Sequence, residues 1–415
     1  MTVPADSPSS ERVPTVNRIS PTRFVVGFGL VSGCADIVYE GARSIIGPYL
    51  ATLGATAAMV GLVTGLGEAT ALVLRLVTGR FADRSRRPWP QTMVGYVLTA
   101  VCVPLIALTG NLVAASLLYN GERLGKAVRT PARDIMLSHA SAVLGRGKTF
   151  GLHKLLDTAG SMIGPLFIAG VLAVGGGNLR LAFALMGLPG LLAVVQLVRL
   201  RRQAPDPIAW EPQTEVAEAK RLRLGGGLGR QFWTYAGFSA VTMLGFSTWG
   251  VLAVHITQRH LLAPGWVPVL YAVAMAAAGG AALVLGRLYD TSGLRGLLLV
   301  PALSALVPWL SFSSSVAGLV VGALLWGAVV GVQDSTMRAA VADLVPARRR
   351  GAGYGTFAAV QGGAWLVGST VVGWLYERST TQVGIYVGVV QVVALACLVP
   401  LLGRAPRPGA SPGGP

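Results

Sequence analysis

Apolar runs long enough to cross a bilayer recur twelve times along this chain, and no other feature limits its folding as strongly. A spanning helix needs roughly 20 mainly apolar residues. Candidate spans lie at about 23–49, 57–79, 91–109, 111–130, 150–174 and 179–198. After a polar stretch they resume at about 231–256, 266–289, 295–312, 315–337, 353–377 and 383–403. Only 12% of the 415 residues are charged, while 53% are apolar and 55 are glycine. Soluble domains carry about a quarter charged residues, and so few charges cannot cover a water-facing surface. A soluble enzyme, a disordered chain and a secreted scaffold are excluded, and an all-α membrane protein is expected.

The formal charge is +17, and only four of the 34 basic residues are lysine. Nucleic-acid binding would need a basic face on a soluble domain, so no nucleic-acid partner is expected. Arginine placement instead reads as topology, because basic residues near span ends stay in the cytoplasm. With the N-terminus inside, inner loops hold Arg80, Arg84, Arg86, Arg87, Arg146, Lys148, Arg287, Arg295, Arg348, Arg349 and Arg350. Outer loops keep Arg180, Arg259 and Arg378. Both termini are expected in the cytoplasm and the chain in the cytoplasmic (inner) membrane. The expected division is a tail (1–22), a first helical bundle (23–198), a cytoplasmic linker (199–230), a second bundle (231–403) and a tail (404–415). Residues 1–22 lack the pattern of a cleavable signal peptide. Cys34, Cys102 and Cys397 lie in separate apolar stretches and read as packing residues.

The two halves repeat each other. Gly79-Arg80-Phe81-Ala82-Asp83 follows the second span, and Gly286-Arg287-Leu288-Tyr289-Asp290 follows the eighth. Arg146-Gly147 with Phe150-Gly151 opens the fifth span, and Arg350-Gly351 with Tyr354-Gly355 opens the eleventh. Recurrence after six spans in the same orientation signals a parallel internal repeat.

The run Gly79, Asp83, Arg84, Arg86, Arg87 resembles the loop motif between helices 2 and 3 of the major facilitator superfamily. In the fifth span Gly151, Gly160, Gly164 and Pro165 are spaced as in the antiporter motif of its drug/proton exchange branch, although Ile168-Ala169 stands where a closing glycine pair is usual. Arg123 and Lys126 are partly similar to the family's helix 4 motif. The resemblance implies 12 transmembrane helices in two parallel-repeat six-helix bundles that rock about a central cavity. It also implies a cytoplasmic gate at Gly79, Asp83, Arg84, Gly286 and Asp290. Read from the residues alone, Gly79 permits close helix approach, the arginines meet anionic headgroups, and Gly160 and Gly164 form a small-residue packing face.

Charge inside the spans is concentrated in the first half. Intramembrane charges are costly and face a cavity or a partner. Asp36, Glu40 and Arg43 share a helical face, with Asp36 about 18 Å from Phe24 along the axis. Glu68 and Arg75, seven apart, share another. Glu122, Arg123 and Lys126 follow in the fourth span, with Arg129 toward the inside, and His153, Lys154 and Asp157 in the fifth. The expected proton-coupling or substrate cavity is Asp36, Glu40, Arg43, Glu68, Glu122, Arg123, Lys126 and Asp157. Burial raises a carboxyl pKa and a nearby cation lowers it, so an acid whose cation moves can load and release a proton. The alternative is a fixed network in which Asp36, Glu40, Glu68, Glu122 and Asp157 balance Arg43, Arg75, Arg123, Lys126 and Lys154.

The second half carries little intramembrane charge beyond Asp334, four residues before Arg338. His255 reads as a membrane-interface histidine, with a cavity polar group as the alternative, and Trp249, Trp326 and Trp365 as deep packing or an apolar substrate wall. No metal-ligand cluster, nucleotide-binding run or cofactor signal appears, and no catalytic residues are expected. The expectation is therefore a monomeric, non-enzymatic secondary transporter, exporting a small amphipathic solute in exchange for protons. Transport of an organic anion or zwitterion through Arg43, Arg123 and Lys126, and a non-transporting membrane assembly protein, are the alternatives.

Overall fold

The computed structural model describes residues 17–85, 88–210, 228–345 and 349–402. The described residues of the first half form α1 (Pro21–Thr52), α2 (Ala57–Val73), α3 (Arg75–Ser85), α4 (Pro88–Leu105), α5 (Leu112–Leu144), α6 (Arg146–Val174), α7 (Leu179–Leu185) and α8 (Gly187–Gln203). The second half forms α9 (Arg230–Leu244), α10 (Trp249–Gln258), α11 (Trp266–Ser292), α12 (Leu299–Ser311), α13 (Val316–Asp334), α14 (Thr336–Leu344), α15 (Arg350–Tyr376) and α16 (Thr380–Leu402). Among the described residues, nine helical segments are apolar and long enough to cross a bilayer, and Trp266–Ser311 holds two crossings end to end. The helices α5 and α15 have the length but are diluted by charge and glycine. Local side chains place the helix starts: Ser20, Thr56, Asn111, Asn178 and Ser315 each accept a first-turn amide hydrogen, as capping requires.

The fourth span extends further than its apolar run. Apolar content alone ends it near residue 130, yet α5 continues through Pro131 to Leu144, and only Gly145 separates it from α6. Residues 131–144 stay helical because Ala132, Met136, Leu137 and Ala140 recur at helical spacing and are buried. Gly145 turns the chain at φ +86°, a conformation that favours glycine. The second span is interrupted as well, at Leu74 between α2 and α3.

Small residues set the helix pairs. In the first half, Gly160 and Gly164 of α6 lie against the backbone of Gly33, Ile37 and Gly41 in α1, and Gly95 of α4 faces Gly125 of α5. In the second half, Gly327 and Gly331 of α13 lie against Ala274 and Ala278 of α11. The halves meet in the same way. Gly61 faces the Ser369 carbonyl, Gly65 stands 3.0 Å from Leu366 Cα (measured from where its Cβ would be), and Gly373 faces the Ala57 carbonyl, so α2 and α15 touch along their length. Gly47 of α1 faces the Gly250 carbonyl of α10. Such spacing maximises dispersion where lipid offers no hydrophobic drive. Trp233, Trp266, Trp309 and Trp374 are about half exposed near helix ends, where an amphipathic ring suits a membrane interface.

Two glycines of α6 make a matched test. A Cβ at Gly160 would overlap the Gly33 backbone, whereas one at Gly151 meets nothing within 4 Å. Gly160→Ala should lower stability by about 1–3 kcal/mol through overpacking. Gly151→Ala should be neutral or gain about 0.5–1 kcal/mol from helix propensity. Melting temperatures of the purified variants check the opposite signs.

Candidate functional site

Heptad-like spacing places Asp36, Tyr39, Glu40 and Arg43 of α1 along one face. Opposite them, Arg123, Lys126, Arg129 and Arg133 of α5 form a basic stripe at three- and four-residue steps. The acids and bases interleave as a ladder. Glu68 of α2 bridges two guanidiniums, with its Oε1 3.1 Å from Arg43 Nη2 and 3.6 Å from Arg123 Nη1. Arg123 lies 3.5 Å from Glu122, donates to the Tyr119 hydroxyl at 2.8 Å, and stacks 4.0 Å from the Tyr39 ring centre. Arg43 lies 3.7 Å from Glu40 and donates to the Tyr39 hydroxyl at 3.2 Å.

One step toward the end that holds the termini, Arg129 stands between Asp36 at 3.8 Å and Glu122 at 4.0 Å, and donates to Thr99. Beyond it, Asp157 of α6 takes Lys154 at 3.1 Å and Arg133 at 3.9 Å, and its carboxyl neighbours that of Asp36. Two neighbouring carboxylates repel each other, which favours a shared proton. His153 Nε2 lies 2.9 Å from Ser32 Oγ, which lies 2.8 Å from the Tyr96 hydroxyl. Asp36, Glu40, Arg43, Glu68, Glu122, Arg123 and Arg129 are all under 9% exposed. Lys126 is half-buried, its Nζ 3.6 Å from the Tyr39 ring centre.

The second half answers with aromatic rings. Trp326 stacks with Phe246 at 5.9 Å and packs on Trp249 at 5.4 Å, and Trp365 packs on Phe246 at 6.1 Å. Arg43 points across the interface at this group, 5.9 Å from the Trp326 ring and 5.8 Å from the Trp365 ring. Tyr271 of α11 donates to Glu40 of α1. A strip of hydroxyls joins the halves further from the termini: Thr64 to Thr248 at 2.6 Å and Thr248 to Ser369 at 2.9 Å. Trp249 donates to the Ser44 carbonyl at 3.3 Å, and the Ala58 amide donates to Glu377 at 2.7 Å. That end is closed by packed backbone. Toward the termini, the Lys154 and Asp334 side chains are 73% and 66% exposed.

The structure thus gathers all eight expected cavity residues into one connected cluster. Arg75, seven residues after Glu68, forms no ion pair with it among the described residues, and Glu68 pairs with Arg43 and Arg123. Arg129 and Arg133 supply the further cations. His255 is buried in the second half, with Nδ1 3.0 Å from the Tyr376 hydroxyl and Nε2 3.3 Å from the Ser313 carbonyl. Asp334 pairs with Arg338 at 2.9 Å. At the expected gate, only Pro131 approaches a Cβ placed on Gly79, at 3.9 Å, and nothing lies within 4 Å of one on Gly286. Neither glycine is therefore required by close packing. Asp290 is exposed, and the side chains of Asp83 and Arg84 lie outside the described residues. Gly160, Gly164 and Pro165 sit in the α1 contact or the uninterrupted α6, with Gly151 in open space.

Sequence reasoning missed Tyr39, Tyr119, Arg133 and Tyr271. Tyr39 and Tyr119 each precede an arginine by four residues, a local signal of stacking. Tyr271 had none, since its partner Glu40 is 231 residues away.

The profile of the Major Facilitator Superfamily matches residues 28–308 and 263–415. Proteins of Mycobacterium tuberculosis and Mycobacterium bovis, each described as uncharacterized, are 48% identical over 389 residues, covering 94% of this chain and 95% of theirs. An uncharacterized MFS-type transporter of Methanocaldococcus jannaschii is 29% identical over 147 residues, 35% of this chain and 36% of that protein. Among solved structures, a bacterial homolog of the human lysosomal transporter Spinster, inward-facing and occupied, aligns with TM-score 0.73 at 17% identity over 94% of this chain and 99% of its own. The nucleoside transporter NupG aligns with TM-score 0.71 at 13% identity over 92% and 100%. These structures share the fold.

Removing one partner of a buried ion pair strands the other charge, at about 3–5 kcal/mol. Glu68→Gln takes one of two acids from each of two buried guanidiniums and should destabilise by about that amount. Asp334→Asn, in an exposed i,i+4 pair, should change stability by about 0.5 kcal/mol or less. Thermal unfolding of the two purified variants measures the difference.

Proposed function

We propose, from the premise that the chain belongs to the Major Facilitator Superfamily and is a multi-pass secondary transporter working by alternating access rather than an enzyme, that it couples protons to the movement of a small amphipathic solute. The observation that carries this reading is the approach of Asp36 on α1 to Asp157 on α6, helices in backbone contact at Gly33 and Leu156, with Arg129, Arg133 and Lys154 beside the two acids. Two acids that share one site hold a proton that either can lose when a nearby cation shifts. The Arg129 and Arg133 contacts, at 3.8 and 3.9 Å, are point-charge pairs rather than aligned hydrogen bonds, so small helix movements change them greatly.

The solute reading rests on the asymmetry of the cleft. One wall presents the charge ladder, and the other presents Trp326, Trp365 and Phe246. A ligand with one polar end and one apolar body matches both. Rocking must break the contacts that cross between halves, chiefly Tyr271 to Glu40 and Arg43 to the tryptophan pair. With the termini in the cytoplasm, as arginine placement suggests, the closed end is extracellular and the exposed Lys154 and Asp334 flank the inner mouth. Residues 23–198 and 231–403 then act as the two rocking bundles, joined by the 199–230 linker, with Asp83, Arg84 and Asp290 at the inner gate. Export is the direction that the Gly151, Gly160, Gly164, Pro165 spacing favours. The lipid bilayer is the remaining partner, and a monomer suffices because both bundles lie in one chain.

In inside-out proteoliposomes with an acid lumen, members of a panel of cationic, neutral and anionic amphipathic solutes should accumulate, and a protonophore should abolish the accumulation. Asp36→Asn should retain solute counterflow while losing accumulation driven by the pH gradient. Gradient-driven uptake at the wild-type rate in that variant would overturn the role of the carboxyl pair.

A further inference from the structure

Each cation of the ladder except one is engaged by an acid. Arg43 has Glu40 and Glu68, Arg123 has Glu68 and Glu122, Arg129 has Asp36 and Glu122, and both Arg133 and Lys154 have Asp157. Lys126 sits in the middle of this series, one helical turn from Arg123 and Arg129. Among the described residues no carboxylate lies within 4 Å of its ammonium, and no hydrogen bond engages its three N–H groups. It faces the Tyr39 ring, 3.6 Å from the ring centre. Asp36 and Glu40 flank it at longer range, and each is shared, Asp36 with Arg129 and Glu40 with Arg43 and Tyr271.

We propose that Lys126 is the recognition point for an anionic group on the transported solute, and that this solute is an organic carboxylate with an aromatic or aliphatic body. The proposal rests on the transporter reading above and names its substrate class. A part-buried ammonium with no acid in contact is unfavourable, and a tyrosine face compensates only in part. A carboxylate supplies the missing charge and accepts the free N–H groups. The body of the solute then lies past the Tyr39 ring, which also meets Arg123 at 4.0 Å and Arg43 at 6.0 Å, toward Trp326 and Trp365 of the second half. A ligand held this way touches both halves, so its binding is sensitive to their rocking.

The test uses the full-length purified chain and three carboxylates, benzoate, octanoate and 2-naphthoate, each beside its uncharged amide. A ligand that binds the folded state raises the melting temperature by mass action. At least one carboxylate should raise it, and the matching amide should not. Lys126→Gln should raise the concentration needed for half the shift about tenfold or more, and Lys126→Arg should recover much of it. The unliganded Lys126→Gln protein should melt no lower than wild type, because no ion pair is lost. Equal shifts from acid and amide, no shift from any of the three acids, or an undiminished shift in Lys126→Gln would each overturn the proposal. If Lys126→Gln fails to fold, the acid–amide comparison on the wild-type chain still decides. Proton-driven uptake of uncharged solutes without carboxylate binding would sink this assignment and leave the transporter reading standing. Carboxylate binding without proton-driven flux would do the reverse.

Discussion

Charge placed inside a bilayer-spanning bundle must be neutralised locally, and in this chain Glu68 bears the heaviest share of that task. It faces Arg43 and Arg123 together, so α1, α2 and α5 are tied through one carboxylate. The idealised cost of moving an ion out of water is of order 20 kcal/mol, still several after relaxation. No single pair offsets this, which is why acids and bases interleave rather than occur singly. The ladder constrains how the first half packs: α5 must turn its basic stripe inward, and α1 must meet it with Asp36 and Glu40.

The glycines make that electrostatic arrangement sterically possible. Gly33 and Gly41 let α1 lie on α6, which brings Asp157 to Asp36. Gly95 and Gly125 do the same for α4 and α5, which brings Thr99 to Arg129. Across the halves, Gly61, Gly65 and Gly373 draw α2 onto α15, and Gly47 draws α1 onto α10. These contacts are dispersion and weak hydrogen bonds, individually small and breakable when the halves rock. The contrast fits transport: the charge network is mostly internal to the first half, while the contacts that must open are short-range packing, hydroxyl pairs and the Glu40–Tyr271 bond.

The two halves share topology but divide the chemistry. The first carries the titratable groups, and the second brings Phe246, Trp249, Trp326 and Trp365 into one aromatic group. Arg43 belongs to both, ion-paired in its own half and aimed at indole faces in the other. A cleft built this way selects solutes by polarity along their length, and the movement of α1 relative to the second half is felt directly by the charges.

Much of this was legible in the residues. Apolar periodicity located the spans, the repeated Gly-Arg and Asp tags marked the parallel repeat, and charges such as Asp36, Glu40 and Arg43 on one helical face announced a polar interior. Those features are local, because hydropathy, helical spacing and capping depend on near neighbours. Partner choice was not legible. That Glu68 takes Arg43 and Arg123 rather than Arg75 depends on how α1 and α5 pack on α2, and that Tyr271 meets Glu40 depends on how two bundles face each other. The extension of α5 to Leu144 was hidden because its apolar residues form a stripe rather than a run. Sequence determined which groups had to be buried, and only tertiary packing decided which of them is left without a counter-charge, because pairing in a low-dielectric interior is settled by distances between helices far apart in the chain.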